Sequence, residues 1–295
     1  MKVEIKKISG LKRMIKIEVG KVSLLEKKKE IYHQLGKTLK VPGFRPGNAP
    51  LEVLERHHRQ FLKEEFLKRV LPFYYQEVIK KNDFKVAGLP RIFDVELSDE
   101  SLSFCAEFEI EPEVKIDDKD YQKIKIKSKK VEVEEIEIEK VLTNLKENIK
   151  KVTNKDLDDQ NLARWLGYPD LDDLREAIRG EIFVEKLGTR RRDLENQIVQ
   201  HLLKRVKIEA PKKIVEDYHR RLVERKIYHL RLRGISEDDI EKYKKDLEEK
   251  LEPVAEDSIK LSYILKAIAE KEGIKVDNDL EEIVLGFILS CAEYV

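Results

Sequence analysis

Residues 42–50 read PGFRPGNAP and lie between two segments with helical periodicity. The stretch holds three of the chain's nine prolines and two of its twelve glycines, so its backbone is stiff except where glycine permits a tight reversal. The pattern predicts a bend that presents Phe44 and Arg45, a ring with apolar area and a forked cation suited to carboxylate or phosphate. The residues alone leave a second interpretation equally open, in which the bend is an ordinary helix–helix turn and Phe44 packs inside its own domain.

The segments on either side of the bend predict a mixed domain. Residues 3–19 alternate between polar and apolar side chains, which predicts two strands. Ser23 and Glu26 have the spacing of a capping box for a first helix. A second helical segment follows the bend, with a kink expected at Pro72, and alternation then returns. Strands on both sides of two helices predict an α+β domain over residues 1–112.

The remainder of the chain is predicted to be extended and then helical. Asp170 has the position of a cap for one long helix, and Ser236 caps another that should end before Pro253. The predicted fold class is therefore α+β, with the N-terminal α+β domain followed by an elongated all-α arm domain. The predicted divisions are an N-terminal domain at 1–112, an extended linker at 113–133 and a helical arm domain at 134–295.

Charge is abundant but balanced along the chain. The 60 basic and 59 acidic side chains give a net charge of +1, and charged residues make up 40% of the sequence. Because proteins that live on nucleic acid usually carry a basic excess, any contact with RNA is expected to be local. The basic runs at 27–29 and 190–192 are predicted to be solvated helix faces.

The sequence also indicates the cellular compartment of the protein. The two cysteines, Cys105 and Cys291, form no disulfide framework and fit a reducing environment. The N-terminus lacks the apolar core of a signal peptide, and the uncharged run at 283–292 is too short to span a bilayer. We therefore expect a soluble, cytoplasmic protein.

No catalytic constellation emerges from the sequence. Residues 36–38 resemble the end of a phosphate-binding loop, but Ile31 stands where that motif requires glycine. His57 and His58 point to different faces of a helix and have no nearby partner at ligand spacing. Nothing pairs a nucleophile with a base, so we expect no catalytic residue, no metal and no cofactor.

Several stretches resemble, in the same order, segments of the trigger factor family, the ribosome-associated chaperones of bacteria. The most specific match is GFRPGNAP, which is similar to the G-F-R-x-G-x-x-P tip of that family. The resemblance implies docking beside the exit tunnel of the large ribosomal subunit, and an arm of the trigger factor C-terminal (SurA-like) type. The implied ribosome-binding residues are Gly43, Phe44, Arg45, Pro46 and Gly47. The other similar stretches are LPFYYQEVI, VAGLPRI, SFCAEFEIEPEV, VEVEEIEIEKVLTNLK and LARWLGYPDLDDLREAIRGEI.

The resemblance also implies partners. They are the large ribosomal subunit, through protein and ribosomal RNA near its exit tunnel, and nascent or unfolded polypeptides, with unassembled ribosomal proteins as further clients. No membrane partner is expected, and the sequence leaves open whether the chain forms a homodimer.

The sequence departs from the family pattern in three places. Pro46 stands where the family often has a basic residue, which removes one contact to the ribosome. Family members usually carry a peptidyl-prolyl isomerase domain of the FK506-binding type after the linker, but residues 151–161 are too few for a domain. The family pattern also continues with further helices beyond the segment that LEEIVLGFILSCAEYV resembles.

The third departure predicts an exposed apolar surface that binds unfolded chains, because a missing helix would leave part of the last helix in contact with water. A further group on an earlier helix is a second candidate, with ordinary helix packing as the alternative for each residue. The predicted substrate-binding residues are Leu222, Tyr228 and Leu232, and Ile283, Val284, Phe287 and Ile288.

Three functions follow from these observations. The first is a ribosome-associated, ATP-independent chaperone that holds nascent or unfolded polypeptides. The second is a peptidyl-prolyl cis-trans isomerase, by family membership. The third is a helical scaffold that binds one protein partner.

Overall fold

The structure is a computed structural model, and it describes residues 1–45, 48–154, 157–275 and 279–295. The contacts divide the chain into two units, and each unit combines two separate stretches of sequence. Unit 1 consists of Met1–Glu113 and Ile208–Lys260, and unit 2 of Val114–Lys207 and Leu261–Val295. The predicted domains at 1–112, 113–133 and 134–295 are continuous stretches of sequence, whereas the two units are groups of residues in contact. The division into domains therefore stays a prediction.

The first part of the chain forms two strands, two helices and two further strands, and the remainder is mainly helical, as the sequence predicts. In chain order they are β1 (Lys2–Lys7), β2 (Lys12–Gly20), α1 (Lys21–Gly36), α2 (Leu51–Lys81), β3 (Val86–Leu97), β4 (Ser101–Ile110), α3 (Asp118–Tyr121), β5 (Lys125–Ile126), α4 (Glu135–Thr153), α5 (Asp159–Trp165), α6 (Leu171–Arg205), α7 (Lys212–Leu232), α8 (Glu237–Glu272), α9 (Leu280–Ser290) and β6 (Glu293–Tyr294).

Unit 1 contains an antiparallel sheet with the strand order β1-β2-β4-β3. Alternate residues of β2 and β4 point to one face, where Ile15, Ile17 and Phe104 are fully buried. Helices α1 and α2 contribute to the same hydrophobic core, with Leu62 and Phe66 on the buried side of α2. The strands predicted on both sides of the two helices are thus confirmed.

Helix α1 begins directly where β2 ends. Its N-cap is Gly20, and no side chain caps it, so the predicted capping box of Ser23 and Glu26 is wrong. Strand β2 leads directly into α1, so the helix begins before Ser23. The Ser23 carbonyl accepts a hydrogen bond from the Tyr74 hydroxyl at 3.2 Å.

Helix α2 contains Pro72, where the sequence predicts a kink, but its backbone irregularity lies elsewhere. The residue with non-helical angles is His58, with φ −128° and ψ 29°. Helix α8 likewise runs through Pro253, so the predicted end before that proline is wrong. A proline removes one backbone hydrogen bond and strains the turn before it, and a long helix that is buried along one side can tolerate this loss.

Unit 2 has its own hydrophobic core, formed by α4, α5 and α6. Ile138, Leu142, Leu162, Ala163 and Leu174 are buried together there. The predicted cap at Asp170 is confirmed, because its carboxylate accepts a hydrogen bond from the Asp173 N–H at 2.9 Å. Helix α4 begins with a capping box formed by Glu134 and Glu137.

An extended segment of unit 2 runs along α6 and is held by side chains of that helix. Gln197 binds the backbone of Lys127 through both atoms of its amide, at 2.8 and 3.0 Å. Successive contacts join positions later in the segment to positions earlier in the helix, so the two run in opposite directions. The other contacts are Arg205 with Asp120, Arg190 with Ser128, and Lys186 with the carbonyl of Glu132.

The start of that segment is fixed by a buried tyrosine. Tyr121 is fully buried, and its hydroxyl donates to Glu272 and lies 3.2 Å from Asp118. Burial raises the pKa of Tyr121, and the two carboxylates raise it further. Lys271 pairs with Asp118 and lowers the pKa of that carboxyl. No helix in the described part of the chain is both long enough and apolar enough to cross a membrane.

Candidate functional site

The bend between α1 and α2 turns sharply at Gly43. Its φ of +84° lies in the left-handed region that favours glycine. The Phe44 N–H donates a hydrogen bond to the Val41 carbonyl at 3.1 Å, which closes the turn. Val41 itself is buried in the core of unit 1, so the bend is anchored immediately before it reverses.

The structure places Phe44 and Arg45 on the surface. The Phe44 side chain is 41% exposed, and Arg45 is exposed as well. The guanidinium of Arg45 makes no ion pair or hydrogen bond with any residue that the structure describes. The interpretation in which Phe44 packs inside its own domain is therefore not what the structure shows. Pro46 and Gly47, which the family resemblance implies as part of the same site, lie outside the described residues.

The base of the bend is held by contacts that the sequence did not reveal. The Nε2–H of His58 donates to the carbonyl oxygen of Lys40 at 3.0 Å, and this histidine is the irregular residue of α2. Leu39 and Ala49, one on each side of the bend, pack against the core of unit 1. A histidine early in a helix carries no sequence signal for such a contact, because the partner is a backbone atom.

The hairpin formed by α7 and α8 exposes four large apolar side chains. We call Tyr228, Leu232, Ile235 and Tyr243 the hairpin patch. The turn is closed by Arg231, whose guanidinium donates to both carboxylate oxygens of Glu237, at 2.6 and 2.9 Å. That contact lowers the pKa of the Glu237 carboxyl. The sequence identified Tyr228 and Leu232, whereas the half-buried Leu222 is further from the turn.

The last helix differs from the prediction. Val284 and Ile288 are fully buried in unit 2, and Phe287 is half-buried, so the apolar face expected to be in contact with water is largely covered. Helix α9 packs on α6 within the same unit, which supplies the cover. Ile283 is the member of the predicted group that is exposed. A substrate-binding role for these residues remains a prediction, and in this conformation Val284 and Ile288 offer no surface.

The described residues contain no group of three or more His, Cys, Asp or Glu side chains placed to hold a metal ion. Cys105 and Cys291 are both half-buried and free.

Family models match most of the chain. The model described as "Bacterial trigger factor protein (TF)" matches residues 1–145, and the model described as "Bacterial trigger factor protein (TF) C-terminus" matches residues 170–284. Only residues 146–169 separate the two matches. In the structure that interval contains the end of α4 and the whole of α5.

Individual relatives agree with the family models. The trigger factor of Pseudoalteromonas atlantica is 26% identical over 195 residues, which cover 64% of this chain and 44% of the relative. The trigger factor of Bordetella parapertussis is 34% identical over 123 residues, which cover 40% of this chain and 28% of the relative. The alignments thus span less than half the length of these curated relatives.

A solved structure extends the likeness to the whole fold. It is described as "Promiscuous Substrate Recognition in Folding and Assembly Activities of the Trigger Factor Chaperone". The alignment covers 97% of this chain and 99% of that chain, with a TM-score of 0.53 and 16% sequence identity. At that identity the likeness concerns the fold.

The positive φ at Gly43 leads to a test of the bend. A Cβ at Gly43 or at Gly180 would meet no heavy atom of the described residues within 4 Å, so the two positions differ in backbone conformation and not in space. We expect Gly43→Ala to lower the free energy of unfolding by about 1–2 kcal/mol, because L side chains disfavour the left-handed region. Gly180→Ala, inside α6, should raise it by up to about 1 kcal/mol.

Urea unfolding followed by circular dichroism measures both changes. If Gly43→Ala stabilises the protein as Gly180→Ala does, the bend does not hold its left-handed turn in solution.

Proposed function

Because the chain belongs to the trigger factor family, we propose that it is a ribosome-associated, ATP-independent chaperone that holds nascent or unfolded polypeptides in the cytoplasm. The observation that carries this proposal is the exposed pair Phe44 and Arg45 on an anchored bend. In this proposal the residues 1–112 supply the docking domain and the residues 134–295 the substrate-binding arm.

The chemistry of the bend suits docking on a ribosome. Phe44 offers apolar area to a pocket in a protein, and Arg45 offers two parallel N–H donors to a phosphate or a carboxylate. Both side chains stand on a backbone fixed by Gly43 and the buried Val41, so little conformational entropy is lost on binding. The partner we propose is the large ribosomal subunit near its exit tunnel, with Pro46 and Gly47 completing the site.

The hairpin patch suits the holding of unfolded chains. An unfolded client presents scattered apolar segments in no fixed arrangement, and separate apolar side chains surrounded by charge bind such segments weakly and reversibly. The solved trigger factor with the same fold is described as recognising substrates promiscuously in folding and assembly. We propose the same client class here: nascent chains, unfolded proteins and unassembled ribosomal proteins.

We infer that the chain has no peptidyl-prolyl isomerase activity. The residues between the two family matches include α5, whose Leu162 and Ala163 are buried in the core of unit 2 with Ile149 of α4. On this ground we assign this part of the chain to the arm and not to a separate domain. The isomerisation rate of a proline peptide should equal the uncatalysed rate in the presence of the protein, and a clearly faster rate would overturn the inference.

Docking predicts a loss of ribosome binding when the pair is removed. We expect the double substitution Phe44→Ala, Arg45→Ala to weaken co-sedimentation with large ribosomal subunits by at least about ten-fold, since anchor residues of this type each contribute more than about 1 kcal/mol.

The matched control for docking is the double substitution Phe61→Ala, Lys80→Ala. Phe61 is 45% exposed, close to the value for Phe44, and Lys80 is exposed at the other end of α2. The control should pellet like the parent. If the Phe44 and Arg45 variant also pellets like the parent, the docking assignment is wrong.

Holding predicts that polar substitutions in the hairpin patch weaken chaperone action. The triple substitution Tyr228→Gln, Leu232→Gln, Tyr243→Gln should raise the protein concentration needed to suppress aggregation by at least about ten-fold, because the loss of even one such apolar contact is worth about 1.5 kcal/mol. Light scattering of several unrelated denatured enzymes measures the effect.

The control for holding is Ile136→Gln, Val152→Gln, Val184→Gln, which removes three exposed apolar side chains elsewhere. Equal loss in both variants would contradict a role specific to the patch. Suppression for only one client would favour a scaffold with a single partner.

A further inference from the structure

Positive charge is concentrated around the bend. Residues 37–63 contain six Lys or Arg side chains and two Glu, in a chain whose net charge is +1. Three of the six, Arg56, Arg59 and Lys63, lie on the first turns of α2 beyond the bend. This local excess is hidden in the overall balance of the chain.

These three cations line one groove. The groove lies between α1 and α2, has a volume of about 690 Å³, and is also lined by Leu97, Ser98 and Asp99 where β3 turns into β4. Tyr32 and Phe66 lie beneath it, nearly fully buried, with ring centroids 5.9 Å apart. Burial and the neighbouring Glu55 raise the pKa of Tyr32 to about 12, so this side chain is uncharged at neutral pH.

The three cations that α2 contributes to the groove are exposed and unpaired. Arg56, Arg59 and Lys63 form no ion pair or hydrogen bond through their side chains with residues in the described ranges. The acidic residue beside them is already neutralised, because Lys28 of α1 lies 2.8 Å from Glu55. The wall of α2 therefore carries three unpaired cations, and the groove is also lined by two exposed acidic side chains, Glu52 of α2 and Asp99 of the β3–β4 turn.

Two basic residues in the middle of the same helix are paired with an acidic neighbour. Lys68 pairs with Glu65 at 2.8 Å, and Arg69 lies 3.9 Å from the same carboxylate. Helix α2 thus changes character along its length, from free cations near the bend to local ion pairs in its middle.

The groove and the bend are connected through His58. This residue interrupts the helix between Arg56 and Arg59, and its ring donates to the Lys40 carbonyl at the base of the bend. The geometry of the three cations is therefore fixed to the same backbone that presents Phe44 and Arg45.

We propose that Arg56, Arg59 and Lys63 form a second binding surface, in which the groove between α1 and α2 takes the phosphate backbone of RNA beside the docking bend. The inference rests on the proposed function for the identity of that RNA, which is the ribosomal RNA next to the bend's own binding site. Arginine forks fit phosphate oxygens, and the aromatic rings below are buried, so contact is through phosphates and not through base stacking. The surface therefore reads charge and not sequence.

The test uses a fluorescein-labelled RNA hairpin and fluorescence anisotropy over a series of salt concentrations. Each phosphate neutralised contributes a slope of about 0.7–0.9 in log affinity against log salt, so three cations contribute about two to three. The triple substitution Arg56→Gln, Arg59→Gln, Lys63→Gln should reduce the slope by that amount and weaken binding at low salt by roughly ten-fold or more.

The control removes three cations at the other end of α2 and just beyond it. Lys80→Gln, Lys81→Gln, Lys85→Gln changes the net charge equally, and all three side chains are exposed. The control should retain most of the slope. An equal reduction in both variants would mean that binding follows net charge alone, and the proposal would be overturned. Tighter binding of a poly-glutamate peptide than of the hairpin would overturn it in favour of an acidic protein partner.

A further variant separates this proposal from the docking proposal. Phe44→Ala should weaken co-sedimentation with large subunits and leave the affinity for the RNA hairpin unchanged. The groove variant should weaken both, by several-fold for the subunits. If the groove variant binds the hairpin as the parent does, the groove proposal is wrong whatever the subunits show. If the parent binds the hairpin but not the subunits, the docking proposal fails and the groove surface remains.

Discussion

The close approach of α1 and α2 at Gly36 is the constraint on which the candidate site depends. A Cβ at this position would lie 2.9 Å from Cδ1 of Leu54, which is itself buried in the core. The absence of a side chain lets the end of α1 lie against the start of α2, and residues 37–50 connect the two helices. The sharp bend at Gly43, the anchoring of Val41 and the hydrogen bond from His58 to Lys40 lie in the connection between these two helices. The rigidity of the bend is thus a property of the helix pair as much as of its prolines.

The sequence predicted the elements that depend on neighbouring residues. Alternation located the strands of unit 1, and the carboxylate of Asp170 marked the start of α6, because side chains within one turn determine these features. The exposure of Phe44 was one of two open interpretations, and only the fold decides between them. Features that depend on residues distant in sequence were not predicted. Ser23 does not cap α1, because the helix begins where β2 ends, and α8 continues through Pro253. In both cases tertiary packing outweighs a local preference of this size.

The exposure of surface residues also depends on residues distant in sequence. Val284 and Ile288 have the pattern of an exposed apolar face, yet α6 covers them, and no periodicity in α9 could reveal the partner helix. The free cations of α2 were equally hidden, because a charge is free only when no opposite charge reaches it in three dimensions. Lys28 pairs with Glu55 from another helix, and no spacing within α2 predicts that contact. A balanced composition therefore says little about the local field of a folded domain.

The junction between α4 and α5 has a consequence for how such proteins change over time. Asn154 ends the first helix in a left-handed conformation, and Asp158 caps the second through the Asn161 N–H, so each helix is terminated independently of the residues that join them. Lengthening a connection between two fixed ends costs only about 0.6 kcal/mol for each doubling of its length. The junction is thus a natural insertion point: a complete module can be gained or lost there over evolution while the arm keeps the same packed interior.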